Sequence, residues 1–266
     1  MVGVERGIAC PGCPHRTAYV ACKEALGRGA GRVICGNAGC AAVGAMHPAA
    51  TACPGGEEAL LPRYRQAVPT GGTAEAPASE RCIHFALDTE AAAEDAEARF
   101  ADLATEGRST VLAVLASSRA FLTREAIERL GDQALALGAE EAVVVDPFDT
   151  LRSEQVLDDM LERPGVHAVV FASPCARLLK HGGEAGTQAL EPVEIDRYAC
   201  VGCHRCKQIT GCPALSFTPP FYQIDAQACA GCDLCTSFCR THVIYSPRDR
   251  YTPEERSRMR YAACQR

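Results

Sequence analysis

From residue 82 onward the apolar positions follow a regular alternation of patterns. Residues 82–87 form a short run of strand length, 91–105 reads as an amphipathic helix, and 110–116 (TVLAVLA) is apolar without interruption. Residues 124–137 return to helical spacing, 142–145 to a strand, and 151–162 to a helix with Leu151, Leu157, Met160 and Leu161 broadly on one side. The run 166–172 (VHAVVFA) closes the series. Strands that are apolar throughout have no face to offer water, so their alternation with helices predicts a parallel sheet covered on both sides. The expected fold class is therefore α/β, with a Rossmann-like layer over about 82–175. Before it, the first sixty residues are rich in Cys, Gly and Pro with one helix-like run at 17–26, and 57–81 has the Gly, Pro and Ser/Thr content of a linker.

After residue 190 the pattern changes to an internal repeat. The twelve residues from Ile195 to Cys206 recur from Ile224 to Cys235 with seven identities, and each copy carries Cys-x-x-Cys-x-x-Cys. A further cysteine follows each copy, Cys212 and Cys239. Three thiolates at this spacing wrap one face of a four-iron cubane, and in two-cluster proteins of this construction the fourth ligand comes from the opposite half. The spacing thus predicts one [4Fe-4S] cluster on Cys200, Cys203, Cys206 and Cys239, and a second on Cys229, Cys232, Cys235 and Cys212. Gly202 and Gly231 are expected to bring backbone amides close to the sulfurs. The resulting unit, a bacterial-type two-[4Fe-4S] ferredoxin domain, is expected at 191–248. The gap of five residues between Cys206 and Cys212, against three in the simple pattern, is expected to be a local bulge. Arg240 replaces the usual proline after Cys239 and is expected to raise that cluster's potential. Paired zinc knuckles are the competing reading, and the triple-cysteine repeat disfavours them. The remaining 249–266 reads as a basic helical tail, with Thr252 capping before Pro253.

Composition narrows the setting. The 17 cysteines among 266 residues are an odd number dominated by Cys-x-x-Cys, and the start MVGVERGIACPGC carries no apolar leader core. Reduced, metal-holding thiols in a cytoplasmic protein follow more readily than a disulfide scaffold. A net charge of −6 argues against a nucleic-acid partner, and no stretch approaches a membrane span.

Cys10-Pro11-Gly12-Cys13-Pro14-His15-Arg16 leaves its metal partners open when read from the residues alone, with Cys35 and Cys53 among the rivals. That stretch, together with Gly36-Asn37-Ala38-Gly39-Cys40, Val144–Asp149, Ser173-Pro174-Cys175-Ala176 and Cys206–Leu215, resembles the thiamine-diphosphate half of the 2-oxoacid:ferredoxin oxidoreductases, in particular the large subunit of the indolepyruvate enzymes. The resemblance implies a third [4Fe-4S] cluster on Cys10, Cys13, Cys40 and Cys175; without it Cys175 would read as a buried small apolar residue. It also implies a Mg²⁺ and thiamine-diphosphate site, to which Asp88 and Ser117 would correspond. Here Leu87 and Thr89 replace small residues around Asp88, and Ser117-Ser118 stand where Asp-Asn is expected. The large pyrimidine-binding half that the resemblance implies is expected to be missing. Residues 1–190 are thus expected to be a truncated, degenerate thiamine-type domain that has lost its cofactor and Mg²⁺. His15 is expected to be a polar neighbour of the third cluster. Arg16 reads either as an offset to cubane charge or as a solvated arginine.

The expected function is that of a non-catalytic subunit relaying low-potential electrons through three clusters within a hetero-oligomer. Its partners would be flavin- or metal-containing oxidoreductase subunits, and a ferredoxin. The alternative is a catalytic subunit that still binds thiamine diphosphate across an interface. A redox sensor using Cys22, Cys35, Cys53, Cys82 and Cys264 as spare thiols is a third reading.

Overall fold

The computed structural model describes residues 10–27, 32–36, 81–101, 103, 109–179 and 190–264. Helix α1 (Pro14–Leu26) leads into strand β1 (Arg32–Gly36), followed by β2 (Arg81–Leu87), the short helices α2 (Asp88–Ala91) and α3 (Ala96–Phe100), and β3 (Ser109–Ala116). Helix α4 (Arg124–Ala136), β4 (Ala142–Val145), α5 (Thr150–Glu162) and β5 (Gly165–Ala172) complete the layer. The five strands are parallel in the order β1-β2-β3-β5-β4.

Alternate residues of each central strand feed opposite cores, as the pleat requires. Ile83, Phe85, Val111, Ala113, Leu115, Val169 and Phe171 face α1 and α5. Ala86, Leu112, Val114, Ala116, Ala168, Val170 and Ala172 face Ala91, Ala96, Phe100, Ile127, Leu130 and Ala134 of α2, α3 and α4. The elements that follow β2 and β3 lie on one face, whereas α5, which carries the chain back from β4 to β5, lies on the other. Right-handed crossovers in opposite directions demand this arrangement. The expected α/β parallel sheet is present, and β1 extends it on the side the sequence pattern left unassigned.

Two expectations are corrected. The single helix expected at 91–105 is two short helices separated by a turn at 92–95. Its apolar residues 91–93 are consecutive instead of spaced by a helical turn, and only Ala91 of those three is buried. In α5 the buried residues are Ser153, Val156, Leu157, Met160 and Leu161, a clean three-four spacing. Leu151 falls out of that phase and is 66% exposed.

Residues 190–264 form a second unit of short elements. Strand β6 (Glu194–Ile195) pairs antiparallel with β9 (Ile244–Tyr245), and β7 (Leu215–Thr218) with β8 (Phe221–Ile224). Between them lie α6 (Arg205–Thr210) and α7 (Leu234–Ser237), and α8 (Pro253–Ala262) ends the described chain. Thr252 caps α8 through a capping box with Glu255, as the sequence predicts.

That last helix returns to the sheet. Arg260 is buried, pairs with Asp146 at the end of β4, and lies 4.6 Å over the Phe148 ring. Tyr261 packs against the α4 core, and Cys264 bridges to Leu179. Removing one member of a buried ion pair leaves the other charge uncompensated, a loss of about 3 kcal/mol. Arg260→Ala is expected to lower unfolding stability by about that amount and to expose α8 to protease, measured by urea denaturation and limited proteolysis.

Candidate functional site

The sequence repeat is reproduced as a structural repeat. In the first half Asp196 accepts backbone N–H groups from Tyr198 and Ala199, and its carbonyl accepts from Cys200 N–H. Asp225 does the same for Gln227, Ala228 and Cys229. Each turn launches a loop with two left-handed residues, Gly202 and His204 in one and Gly231 and Asp233 in the other. These conformations fold each Cys-x-x-Cys-x-x-Cys back on itself. Five of the six loop thiols, all but Cys203, then point inward to a buried or half-buried position.

The thiols gather into two groups. The near neighbours of Cys206 are Cys239, Cys203 and Cys200; burial pushes its pKa up to about 11 and those thiols act in the same direction. Cys232 is pushed up to about 12 by burial, with Cys212 and Cys229 beside it. Cys235 is raised by burial and by Cys232, Cys212, Cys229 and, across the unit, Cys206. Cys212, Cys229, Cys232 and Cys235 line one cavity. Cys239 is thus a neighbour of Cys206, and Cys212 a neighbour of Cys232 and Cys235. Among the described residues no three His, Cys, Asp or Glu side chains are arranged around a single metal ion.

The chemistry around each group is that of soft thiol donors with backbone N–H support. Tyr222 N–H donates to Cys200 Sγ at 3.5 Å, Gly231 N–H to Cys229 Sγ at 3.5 Å, and Val243 N–H to Cys239 Sγ at 3.3 Å. Burial alone would raise the Cys239 thiol, yet hydrogen bonds from Val243, Thr241 and Ile244 leave it lowered. The carboxylate nearest the second cavity, Asp233, is committed to Arg248 at 2.7 and 3.0 Å and to the Ser246 hydroxyl at 2.7 Å. Among the described residues, four thiols with no uncommitted carboxylate beside them fit a thiolate-preferring centre and not Mg²⁺ or Ca²⁺.

The gap before Cys212 is not a bulge. Its two extra residues lengthen α6 to six residues, against four in α7, and Gly211 ends the helix in the left-handed conformation. Thr210 then fastens the turn, its hydroxyl donating to Cys206 C=O at 2.6 Å and accepting from Cys212 N–H at 3.3 Å.

The amino-terminal motif lies against this unit. Gly12 has φ +70°, and a Cβ there would stand 2.7 Å from Ala230 Cβ, 3.4 Å from Cys232 Cβ and 3.8 Å from Ala176 Cβ. The Cys10–Cys13 turn is thus held between the residue after Cys175 and the Cys229–Cys232 loop, and Pro11, Gly12, Cys13 and Arg16 line the second thiol cavity. Cys10 is exposed, Cys13 buried and Cys175 half-buried. Cys40 and Cys53 lie outside the described residues, as does the side chain of Cys35. Cys264, just after α8 in the segment the sequence treats as a tail, is raised by burial, with Arg119 opposing and neighbouring Cys175 adding to the shift. Cys22 and Cys82 are buried in the α/β unit.

Asp88 and Ser117, the two residues expected at a vestigial thiamine site, are adjacent. Asp88 is 3% exposed, and its carboxylate accepts from Thr89 N–H at 2.8 Å, Ser117 N–H at 3.0 Å and Ser118 N–H at 2.8 Å. Ser117 Oγ is 2.6 Å from His15 Nε2, and Ser117 C=O accepts from Cys175 N–H at 3.1 Å. Sequence reasoning had no means to find this network, since its members lie on four separate segments. Burial lowers His15 to about 4, with Asp88 opposing.

No family model and no solved structure matches the chain. Among curated proteins, the indolepyruvate oxidoreductase subunit IorA of Thermococcus kodakarensis is 35% identical over 89 residues, 33% of this chain and 14% of that protein. The Pyrococcus abyssi subunit of the same name is 33% identical over 87 residues, 32% of this chain and 13% of its own. The match thus spans about a seventh of the relatives' length, and it is to an oxidoreductase subunit.

Two outcomes follow. Gly12→Ala is expected to cost at least about 2 kcal/mol, from the left-handed backbone and the Ala230 contact together. Adding Ala230→Gly should recover only the contact part, as read from paired denaturation curves. His15 has a folded-state pKa below its unfolded value, so the unfolded chain binds more protons between pH 6.5 and 4. Stability is complete above pH 6.5 and falls by about 3 kcal/mol towards pH 4. The corresponding difference between wild type and His15→Gln, followed by urea midpoint against pH, should vanish above pH 7.

Proposed function

We propose that this chain is an iron–sulfur electron-transfer subunit of a larger oxidoreductase. In this reading residues 191–248 form a ferredoxin-type domain with two [4Fe-4S] clusters, and the Cys10–Cys13 turn with Cys175 and Cys40 holds a third. The single observation that carries the reading is the exchanged gathering of thiols: Cys239 beside Cys206, and Cys212 beside Cys232 and Cys235. A bound cubane stores and passes one electron. The chain's own part is to supply four thiolates, to exclude water with Leu215, Tyr222, Val243 and Ile244, and to aim the Tyr222, Gly231 and Val243 amides at the sulfurs. Such donors stabilise the added negative charge and raise the potential.

Raised thiol values such as those at Cys206 and Cys232 mean that metal must displace protons. The short path from the Cys10–Cys13 turn to the Cys229–Cys232 loop supports transfer between the third centre and the second. The similarity to an oxidoreductase subunit supports a hetero-oligomer, with flavin- or metal-containing subunits and a ferredoxin as partners. The three backbone hydrogen bonds on Asp88 give that residue a structural use, which supports relay over thiamine-dependent catalysis.

Anaerobically purified protein should carry about twelve iron atoms per chain. A count of eight removes the amino-terminal cluster, and a count near zero removes the relay. Cys212→Ser should disturb the spectrum of the cluster held by Cys229, Cys232 and Cys235 while leaving the other intact. Saturable calorimetric binding of thiamine diphosphate with Mg²⁺, abolished in Asp88→Ala, would replace this reading with the catalytic one.

A further inference from the structure

We propose, resting on the relay reading, that residues 197–205 form the docking surface through which the cluster beside them passes its electron to a carrier protein with an acidic face. The two halves of the repeat differ in what covers them. Position by position, Val201, Cys203 and Arg205 of the first loop correspond to Ala230, Cys232 and Leu234 of the second. The α/β unit covers the second loop: Ala230 lies against Gly12, and Leu234 packs in one buried cluster with Val20 of α1 and with Phe148. In the first loop the same positions are open. Val201 is 65% exposed where Ala230 is 5%, and Cys203 and Arg205 are exposed as well.

The open loop has the composition of an interface. Tyr198 is 86% exposed; Arg197 donates to its hydroxyl at 2.8 Å and lies 4.8 Å over its ring. The exposed Phe217 reaches the same loop, with its ring 4.6 Å from that of His204 and its edge 3.2 Å from where a Cβ on Gly202 would stand. Exposed tyrosine and arginine around an aliphatic centre are the side chains that carry most binding energy between proteins.

Charge selects the partner. Where the second loop has Asp233 and Leu234, the first has His204 and Arg205, and residues 197–205 contain no Asp or Glu. The preceding Asp196 is half-buried and accepts from the amides of Tyr198 and Ala199. The loop is thus a positive patch on a chain of net charge −6. A second copy seated face to face would set these arginines against themselves, whereas an acidic carrier is steered onto them. Cys203, the exposed thiol of its group, brings the cluster nearest the surface within this patch. One electron leaves the reduced cluster and reduces the carrier, with no bond made or broken and no proton moved.

The test uses the full chain, purified anaerobically, with its iron counted and its clusters reduced. Stopped flow follows its oxidation by a [2Fe-2S] ferredoxin of strongly negative net charge and, separately, by neutral benzoquinone, which needs no docking face. The wild-type rate with the ferredoxin should fall steeply as salt rises. In Arg205→Glu and in Val201→Glu the ratio of ferredoxin rate to quinone rate should fall tenfold or more at low salt. Arg124→Glu, on the α/β unit and with the same change of net charge as Arg205→Glu, should keep the wild-type ratio. An unchanged ratio in Arg205→Glu, an equal loss in Arg124→Glu, or a wild-type chain that reduces the quinone and not the ferredoxin overturns the assignment. A chain that sediments as a dimer, and as a monomer in Val201→Glu, gives the face to a second copy and overturns it too. A wild-type chain that holds no iron and reduces neither oxidant fails the relay reading itself, which the iron count separates from a failure of docking.

Discussion

The two units of this protein meet where a backbone without a side chain is pressed against a methyl group. Gly12, in a left-handed turn, approaches Ala230 more closely than any Cβ permits, with Cys232 beside it. Pro14 then starts α1 with its φ already set for a helix. One small contact fixes three things together: the position of Cys10 and Cys13, the wall of the second thiol cavity, and the burial of Arg16. A bulkier residue at 12 or 230 would separate the units by the width of a methyl group and open that wall to water.

Behind this contact a polar network sets the loops at the carboxyl ends of the strands. Asp88 gathers the amides that follow β3, Ser117 passes the constraint to His15, and its carbonyl holds the amide of Cys175. Buried polar groups are costly unless satisfied, so a network of this kind holds one geometry well or fails altogether. The loop carrying Cys175 and the helix carrying Cys13 are thereby placed by the same carboxylate. Asp88 thus serves as a brace for thiol-bearing loops.

The sheet was largely legible because TVLAVLA and VHAVVFA leave no polar face, and the repeat of residues 195–206 at 224–235 returns in the matching Asp196 and Asp225 turns. What escaped were features set by distant residues. Strand β1 lies in a Cys- and Gly-rich stretch whose five residues look like loop until β2 pairs with them. The helix expected at 91–105 failed because three adjacent alanines carry apolar weight without helical phase. Arg16 could be read two ways from its motif, and its burial, set by residues far along the chain, removes the solvated one. Arg260 looked like a surface charge on a basic helix, and its burial depends on Asp146, 114 positions away. Pattern reports local periodicity; partners far along the chain are invisible to it.

The ends of the cysteine-rich unit bear on how it comes apart. At its start Leu190 packs in one buried cluster with Leu179, from the segment that follows β5, and at its end α8 crosses to the sheet through Arg260 and Tyr261. The segment is therefore held at entry and at exit by contacts that depend on the α/β core. Such a segment cannot loosen by fraying from a free end. Its opening is coupled to that of the sheet, so loss of the thiol groups and melting of the α/β unit belong to one cooperative transition.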